Sequence, residues 1–318
     1  MVQWAQGATD LIGRTPLVEL KRFGAKDGAT VATMLAKLEM FSPGGSSKDR
    51  VALQMICEAE AQSLLRPGGT IIEPTSGNMG ISLACVAAAR GYQCILTMPD
   101  TVSIERRLLL HRFGAQVLLT PASQGMRGAI NKSIELRTTL PNTWYPQQFY
   151  NQANPRAHRE TTAAEIWEQT GGMVDMVVIG VGTGGTLTGI AEGLRARKPT
   201  LKVVAVEPAS CAILSGGKPG PHRIEGLGPG FIPDTLHVDQ IDSVVPVSDH
   251  DAVETAICLM KDEGLSIGMS SGAVAWATLQ EARKEEHRGK VIVTVFPSAA
   301  ERYLKTVLFD DLRGNVRA

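Results

Sequence analysis

The sequence predicts an α/β protein built from two three-layer αβα domains with mainly parallel, twisted sheets. Three observations predict this. Short β-branched or apolar runs alternate with longer amphipathic ones along most of the chain, which is the wiring of βαβ units with parallel strands. The 318 residues accommodate two such domains, and a hydrophobic content of 43 % can fill two cores. Turn-forming residues in NQANP, residues 151–155, interrupt two periodic stretches. The expected division is therefore 1–153 and 154–318, with the first ~40 residues free to pack on the second domain.

Taken in order, SPGGSSKDR (42–50) is a turn-forming stretch that opens a helix. The apolar run TIIEPT (70–75) is a strand, followed by a helix over 78–90, the strand QCILTMP (93–99) and a helix over 103–113. AQVLLTP (115–121), a helix near 124–139, WYPQQF (144–149) and a helix from about residue 155 continue the alternation. MVDMVVIGV (173–181) and KVVAVEP (202–208) are read as strands of the second domain. SGGKPGPHRIEGLGPGFIPD (215–234) is too rich in Gly and Pro for helix or central strand and reads as a functional loop. SVVPVS (243–248), a helix over 249–263, a helix after Ser271 and the strand KVIVTVFP (290–297) complete the pattern.

Composition removes several function classes. Lys plus Arg and Asp plus Glu are 32 each, so no net field draws the protein to nucleic acid or an anionic membrane. Five cysteines, Cys57, Cys85, Cys94, Cys211 and Cys258, form no CxxC pair and read as reduced thiols. Residues 1–20 lack a basic start followed by an apolar run, and no stretch approaches the roughly 18 apolar residues of a membrane span, so the expectation is a cytoplasmic protein. The histidines, His158 and His222 among them, have no HExxH or similar spacing, and no metal is implied. GxSxG is absent, which gives a hydrolase triad little support.

Several segments can carry chemistry. Lys48, aimed from a glycine-rich turn toward a pocket, could form a Schiff base with a carbonyl cofactor; it could equally be a surface lysine paired with Asp49 at a helix start. TSGNMG (75–80) stands between a strand and a helix, so the first backbone N–H groups of that helix can bind a carboxylate or phosphate, with Thr75 and Ser76 adding hydroxyls, Gly77 close approach and Asn78 an amide. An ordinary helix cap fits the same residues. GVGTGGT (180–186) can cradle a phosphate with its backbone, helped by Thr183 and Thr186. Gly180, Gly182, Gly185 and the later Glu207 also fit a dinucleotide fingerprint, and a purely structural turn is the third reading. GMSSGA (268–273) places Ser270 and Ser271 at a strand-to-helix turn, either facing a ring nitrogen or capping the helix from Ser271. Gln148, at the carboxyl end of a predicted strand, is a buried amide or a ligand for a substrate carboxylate.

With Lys48, TSGNMG, GVGTGGT, EGLGPGFIP and GMSSGA in this order, the chain resembles the cysteine synthase (O-acetylserine sulfhydrylase) family of fold-type II pyridoxal-phosphate enzymes, whose architecture is like that of tryptophan synthase β. The likeness runs from IGRTPLVEL (12–20) through PDTVSIERR (99–107) and NQANPRAHRETTAAEIW (151–167) to FPSAAERYLKT (296–306). The resemblance implies an active site in the cleft between the domains, with pyridoxal 5′-phosphate as cofactor. It makes Lys48 the Schiff-base lysine, Asn78 the contact of the phenolic oxygen, Gly182, Thr183, Gly184, Gly185 and Thr186 the phosphate cradle, and Ser270 the partner of the pyridine nitrogen. It also makes Thr75, Ser76, Gly77, Met79 and Gln148 the substrate-binding set, with Gly226 and Gly228 lining the loop over the β-substituent.

A neutral hydroxyl such as Ser270 cannot hold the ring nitrogen protonated as a carboxylate would, and the weaker electron sink favours β-elimination over transamination. The implied activity is a transferase reaction of cysteine biosynthesis: O-acetyl-L-serine and sulfide give L-cysteine and acetate. A homodimer and an association with serine acetyltransferase are implied as well. Met79 departs from the threonine usual after the asparagine, which opens the alternatives of O-phosphoserine as donor or a homocysteine-like thiol as acceptor. The loop Gly228-Pro229-Gly230-Phe231 lacks the Tyr and Asp usual before the Phe in cystathionine β-synthase and points to a small nucleophile. A nicotinamide-dependent dehydrogenase, resting on Gly180, Gly182, Gly185 and Glu207, is the remaining enzymatic alternative.

Overall fold

The computed structural model describes residues 4–25 and 30–313; residues 1–3, part of the leader reading, lie outside the described residues. Its strands are β1 (Leu17–Glu19), β2 (Thr33–Leu38), β3 (Thr70–Pro74), β4 (Gln93–Pro99), β5 (Gln116–Thr120), β6 (Thr143–Trp144), β7 (Val174–Gly180), β8 (Lys202–Pro208), β9 (Ser243–Val247) and β10 (Val291–Phe296). The chain divides into two compact units, one of residues 1–13 and 42–154, the other of residues 14–41 and 155–318.

The first unit carries a four-stranded sheet in the order β5-β4-β3-β6, parallel throughout. Apolar residues of β3 and β4 such as Ile71, Leu96 and Met98 pack with Val51, Met55 and Leu83 of the helices Lys48–Ala61 and Asn78–Arg90. Helix Gly125–Thr139 packs on the sheet as well, and Thr97 Oγ1 donates to Ala129 O at 2.7 Å. The strand expected over 144–149 shrinks to Thr143–Trp144. Pro146 has no N–H to give a ladder, and Gln147 takes a φ of 58°, which turns the chain out of the sheet.

The second unit carries a six-stranded sheet, β1-β2-β10-β7-β8-β9, parallel except for the β1–β2 edge. Alternation along the strands sorts two cores. Met176, Val178, Val204 and Val206 face the core formed with helices Asp249–Glu263 and Met269–Ala282. Val177, Ile179, Val203 and Ala205 face the core holding Ile166, Leu187, Ile190 and Leu194. Period-two alternation with helices on both faces is the three-layer arrangement expected. β1 and β2 were not anticipated, because TMLAKL carries a lysine in an otherwise apolar run. The Lys37 Nζ is fully buried and satisfied by Glu165 Oε2 at 2.7 Å, Thr15 O at 2.6 Å and Gln169 Oε1 at 2.8 Å. No helix among the described residues is long and apolar enough to cross a membrane.

The strand order fixes where each unit can bind. In the first, the chain moves from β3 to β4 to β5 on one side and returns to β6 on the other; in the second, it moves from β7 to β8 to β9 and returns to β10. At such switch points the loops leaving the carboxyl ends of adjacent strands diverge and leave a crevice. The loops concerned follow β3 and β6 in the first unit, and β7 and β10 in the second.

Candidate active site

In the first unit, Lys48 is the opening residue of helix Lys48–Ala61 and is half-buried. The turn before it is held by its neighbour Asp49, 1 % exposed, which accepts from Gly44 N at 2.6 Å and from Ser82 Oγ at 2.5 Å. A Cβ on Gly44 would lie 2.3 Å from Asp49 Oδ1, so glycine is required for the turn to close on that carboxylate. Because Ser82 stands in the first turns of helix Asn78–Arg90, the bond pins the two helix starts side by side. Lys48 and Asn78 thus open neighbouring helices. The pairing of Lys48 with Asp49 as an exposed couple does not describe this arrangement, since Asp49 is buried and holds the turn.

The loop after β3 is shaped by its own backbone. Thr75 N donates to Thr97 O at 3.0 Å, Gly77 N to Thr75 Oγ1 at 3.3 Å, and the Arg106 guanidinium to Ser76 O at 2.5 Å. A Cβ on Gly77 would meet nothing within 4 Å, so the space beside this loop is open, and no side chain of Gly77 caps the helix. The positive end of the helix dipole favours an anion there. Met79 is 1 % exposed and packs into the apolar core of this unit.

Gln148 lies past the short β6, in a loop and 8 % exposed. Gln147 N and Gln148 N donate to the two oxygens of Glu73 at 3.0 and 3.2 Å, and Asn154 Nδ2 donates to Gln148 O at 2.9 Å. Burial pushes the Glu73 carboxyl up to about 7 against the opposing pull of those two N–H bonds. The acid in the otherwise apolar run TIIEPT was the signal for it, since parallel strands seldom bury a charge without a partner.

In the second unit the loop after β7 runs into helix Gly185–Arg195. Gly184 has a φ of 83°, and a Cβ there would lie 2.4 Å from that of Leu236. A Cβ on Gly182 would lie 2.1 Å from Gly226 O. The loop at 226–228 is therefore laid directly on the glycine loop, and Gly228 N donates to Val181 O at 3.0 Å. Thr235 Oγ1 donates to Thr183 O at 2.6 Å. Thr186 Oγ1 is 3.1 Å from His158 Nε2, whose Nδ1 is 2.9 Å from Thr162 Oγ1. His158 stands in a π-turn, His158–Thr162, and is fully buried, so it braces the cradle; a lone histidine in sequence gave no sign of this.

Glu207 does not present a carboxylate to a ribose. It is 2 % exposed and accepts from Leu214 N at 2.8 Å, Ser215 N at 3.0 Å and Ser215 Oγ at 2.7 Å. The glycines of GVGTGGT answer to the close approach of 226–228 and Leu236, and the dinucleotide fingerprint loses its acid.

Helix Met269–Ala282 begins earlier than expected, with Gly268 and not Ser271 at its N-cap, and it follows a loop, not a strand. Gly268 N donates to Ser298 O at 3.2 Å, which sets the start of this helix beside the loop after β10. Ser270 is 3 % exposed, and the neighbouring Ser271 Oγ is buried without a hydrogen-bond partner. Val274 of this helix lies against Gly180, so Ser270 and the phosphate-type loop share the switch point of the unit. Among the described residues no group of His, Cys, Asp and Glu could hold a metal ion, and all five cysteines are free.

Hydroxyls and helix-start N–H groups for an anion, an amine opening a helix and a neutral hydroxyl beside an orphaned polar atom make donor sets that fit a phosphorylated aldehyde with a ring nitrogen. Comparison with known proteins agrees. A family model described as pyridoxal-phosphate dependent enzyme matches residues 8–298. A cysteine synthase of Staphylococcus aureus is 48 % identical over 306 residues, 95 % of this chain and 97 % of that protein. The crystal structure of cysteine synthase from Entamoeba histolytica superposes with a TM-score of 0.94 at 41 % identity, covering 99 % of this chain and 92 % of that one. An O-acetylserine dependent cystathionine β-synthase from Helicobacter pylori superposes with a TM-score of 0.89 at 39 % identity, covering 97 % of this chain and 100 % of that one.

Proposed function

The chain belongs to the pyridoxal-phosphate dependent enzymes, in the cysteine synthase family, and from that premise we propose that it forms L-cysteine from O-acetyl-L-serine and sulfide, releasing acetate. The observation that carries the reading is the Asp49–Ser82 bond, which fixes Lys48 next to the open, anion-favouring start of helix Asn78–Arg90. Pyridoxal phosphate, when bound, withdraws electrons from the amino acid's α-carbon so that its α-proton and β-substituent can leave.

The residues then divide the work. Lys48 holds the aldehyde carbon and afterwards accepts and returns the α-proton. Asn78 hydrogen-bonds the phenolic oxygen, and Gly182, Thr183, Gly184, Gly185 and Thr186 hold the phosphate. Ser270 faces the ring nitrogen without protonating it. Thr75, Ser76, Gly77 and Gln148 form the substrate-carboxylate subsite, with Met79 packed in the core behind their loop, and Gly226 and Gly228 line the loop over the departing acetate. On this reading the lysine- and substrate-bearing domain lies within residues 1–153 and the phosphate-bearing one is 154–318, with residues 14–41 packing on the latter. A cytoplasmic homodimer with serine acetyltransferase as a partner belongs to the same proposal; light scattering of the purified protein, alone and with the acetyltransferase, tests both associations.

A homocysteine-like thiol is the second reading for the acceptor, favoured by the likeness to the Helicobacter pylori enzyme. O-Phosphoserine is the second reading for the donor. The decisive experiment is a visible spectrum of the purified protein before and after each donor, with product analysis for sulfide and homocysteine. A yellow protein that responds to O-acetylserine, and a pyridoxyl adduct fixed on Lys48 by borohydride reduction that is lost in Lys48→Ala, is the expected result. A colourless protein, or an adduct on another lysine, refutes it.

A further inference from the structure

Glu73 is the last residue but one of β3, two before Thr75, and its carboxyl group reaches across to the loop after the adjacent strand β6. Its Oε2 accepts from Gln147 N and its Oε1 from Gln148 N, so one side chain accepts from two successive peptide groups. Only a carboxyl group offers two acceptors in that fork; an amide at 73 would turn an NH₂ against one of the two N–H donors. The loop needs such a hold, because Gln147 sits at a φ of 58°, a region that residues with a side chain seldom adopt unless the surroundings impose it. Asn154 Nδ2 donates to Gln148 O and fastens the next residue of the loop. The titratable groups facing Glu73 are Cys94 on β4 and Tyr145 just past β6, and neither carries positive charge.

We infer that Glu73 is a positioning residue for the amino-acid carboxylate: by gripping the 147–148 backbone it sets Gln148 at the carboxyl end that β3 and β6 share, and so couples the Thr75–Asn78 loop to Gln148. The inference rests on the proposed role of Gln148 as a contact of the substrate carboxylate. It assigns Glu73 no contact with the cofactor, so the holoenzyme's visible spectrum stays as in the wild type when Glu73 changes.

The test is steady-state kinetics on holoenzyme of the wild type, Glu73→Gln, Gln148→Ala and the double variant. Glu73→Gln is expected to raise KM for O-acetylserine about tenfold or more, the effect of losing one buried hydrogen bond, with kcat within about threefold and the bound-cofactor spectrum unchanged. Gln148→Ala should raise KM similarly, and the double variant should add less than about twofold to it, because both act through one contact. A raised KM in Gln148→Ala with an unchanged KM in Glu73→Gln overturns the inference alone. An unchanged KM in Gln148→Ala removes the carboxylate-subsite reading, and the inference with it. Should Glu73→Gln not fold, the wild-type holoenzyme decides: the amide signals of Gln147 and Gln148 should titrate together, with a midpoint that moves when L-serine is added. A midpoint that does not move, or amides that do not titrate, overturns the inference.

Discussion

Glu73 allows a stability prediction that does not depend on catalysis. Its carboxyl group is fully buried and held at about 7, against 4.5 for the free side chain. The folded protein therefore binds this proton more tightly than the unfolded chain does. For a carboxyl group raised in this way, the folded state is favoured most below about 4.5, loses stability as the pH rises toward about 7, and changes little above it. The difference of 7 and 4.5, at about 1.36 kcal/mol per pH unit, makes the loss roughly 3 kcal/mol. Full burial means that solvent screening does not reduce this figure. Glu73→Gln cannot titrate, so its stability relative to the wild type should climb by roughly 3 kcal/mol between pH 4.5 and pH 8. This gain lies on top of a pH-independent penalty of about 1–3 kcal/mol for the peptide N–H left facing the amide. Urea unfolding of both proteins across this range measures it, the difference between the two curves cancelling every other titrating group. Parallel stability curves would refute the reasoning, since Glu73 would then keep the same proton affinity folded and unfolded.

Other predictions follow from single contacts. Gly182→Ala places a Cβ 2.1 Å from Gly226 O, so it should cost about 1–3 kcal/mol of thermal stability and weaken cofactor binding, read by fluorescence titration; unchanged affinity and melting temperature would count against the close approach. Lys37→Ala leaves Glu165 without its buried cation and should lower the stability to urea by about 3–5 kcal/mol, whereas a loss below about 1 kcal/mol would mean the pair is not buried in solution. Cys94, its thiol pushed up to about 12 mainly by burial, should escape iodoacetamide at pH 8 while the half-buried Cys258 reacts, and mass mapping that finds Cys94 labelled at a comparable rate would refute this.

Local pattern carried much of the fold. TIIEPT, QCILTMP and KVVAVEP are largely apolar runs, and each forms a strand close to the expected limits because parallel strands are buried on both faces. The failures have physical causes. WYPQQF looks like a strand until Pro146 and the positive φ of Gln147 are counted, and that φ is sustained by Glu73, far away in sequence. TMLAKL hides a strand because its lysine is stabilised by Glu165, Thr15 and Gln169, which only the folded second unit gathers. GMSSGA begins a helix earlier than a serine cap would, since Gly268 is fixed by Ser298 from the loop after β10.

By itself the sequence determined the chemical kind of the site. An amine in a glycine-rich turn, hydroxyls and glycines at strand-to-helix junctions, and a neutral serine are local features, and their order along the chain is enough to identify the family. The tertiary structure decided which groups are available. It committed Glu207 to the backbone of 214–215, covered Gly182 with Gly226, buried Met79 in a core and joined Glu73 to Gln148. A side chain's partners are set by which strands lie next to each other, and strand order is a property of the whole chain that no local window contains.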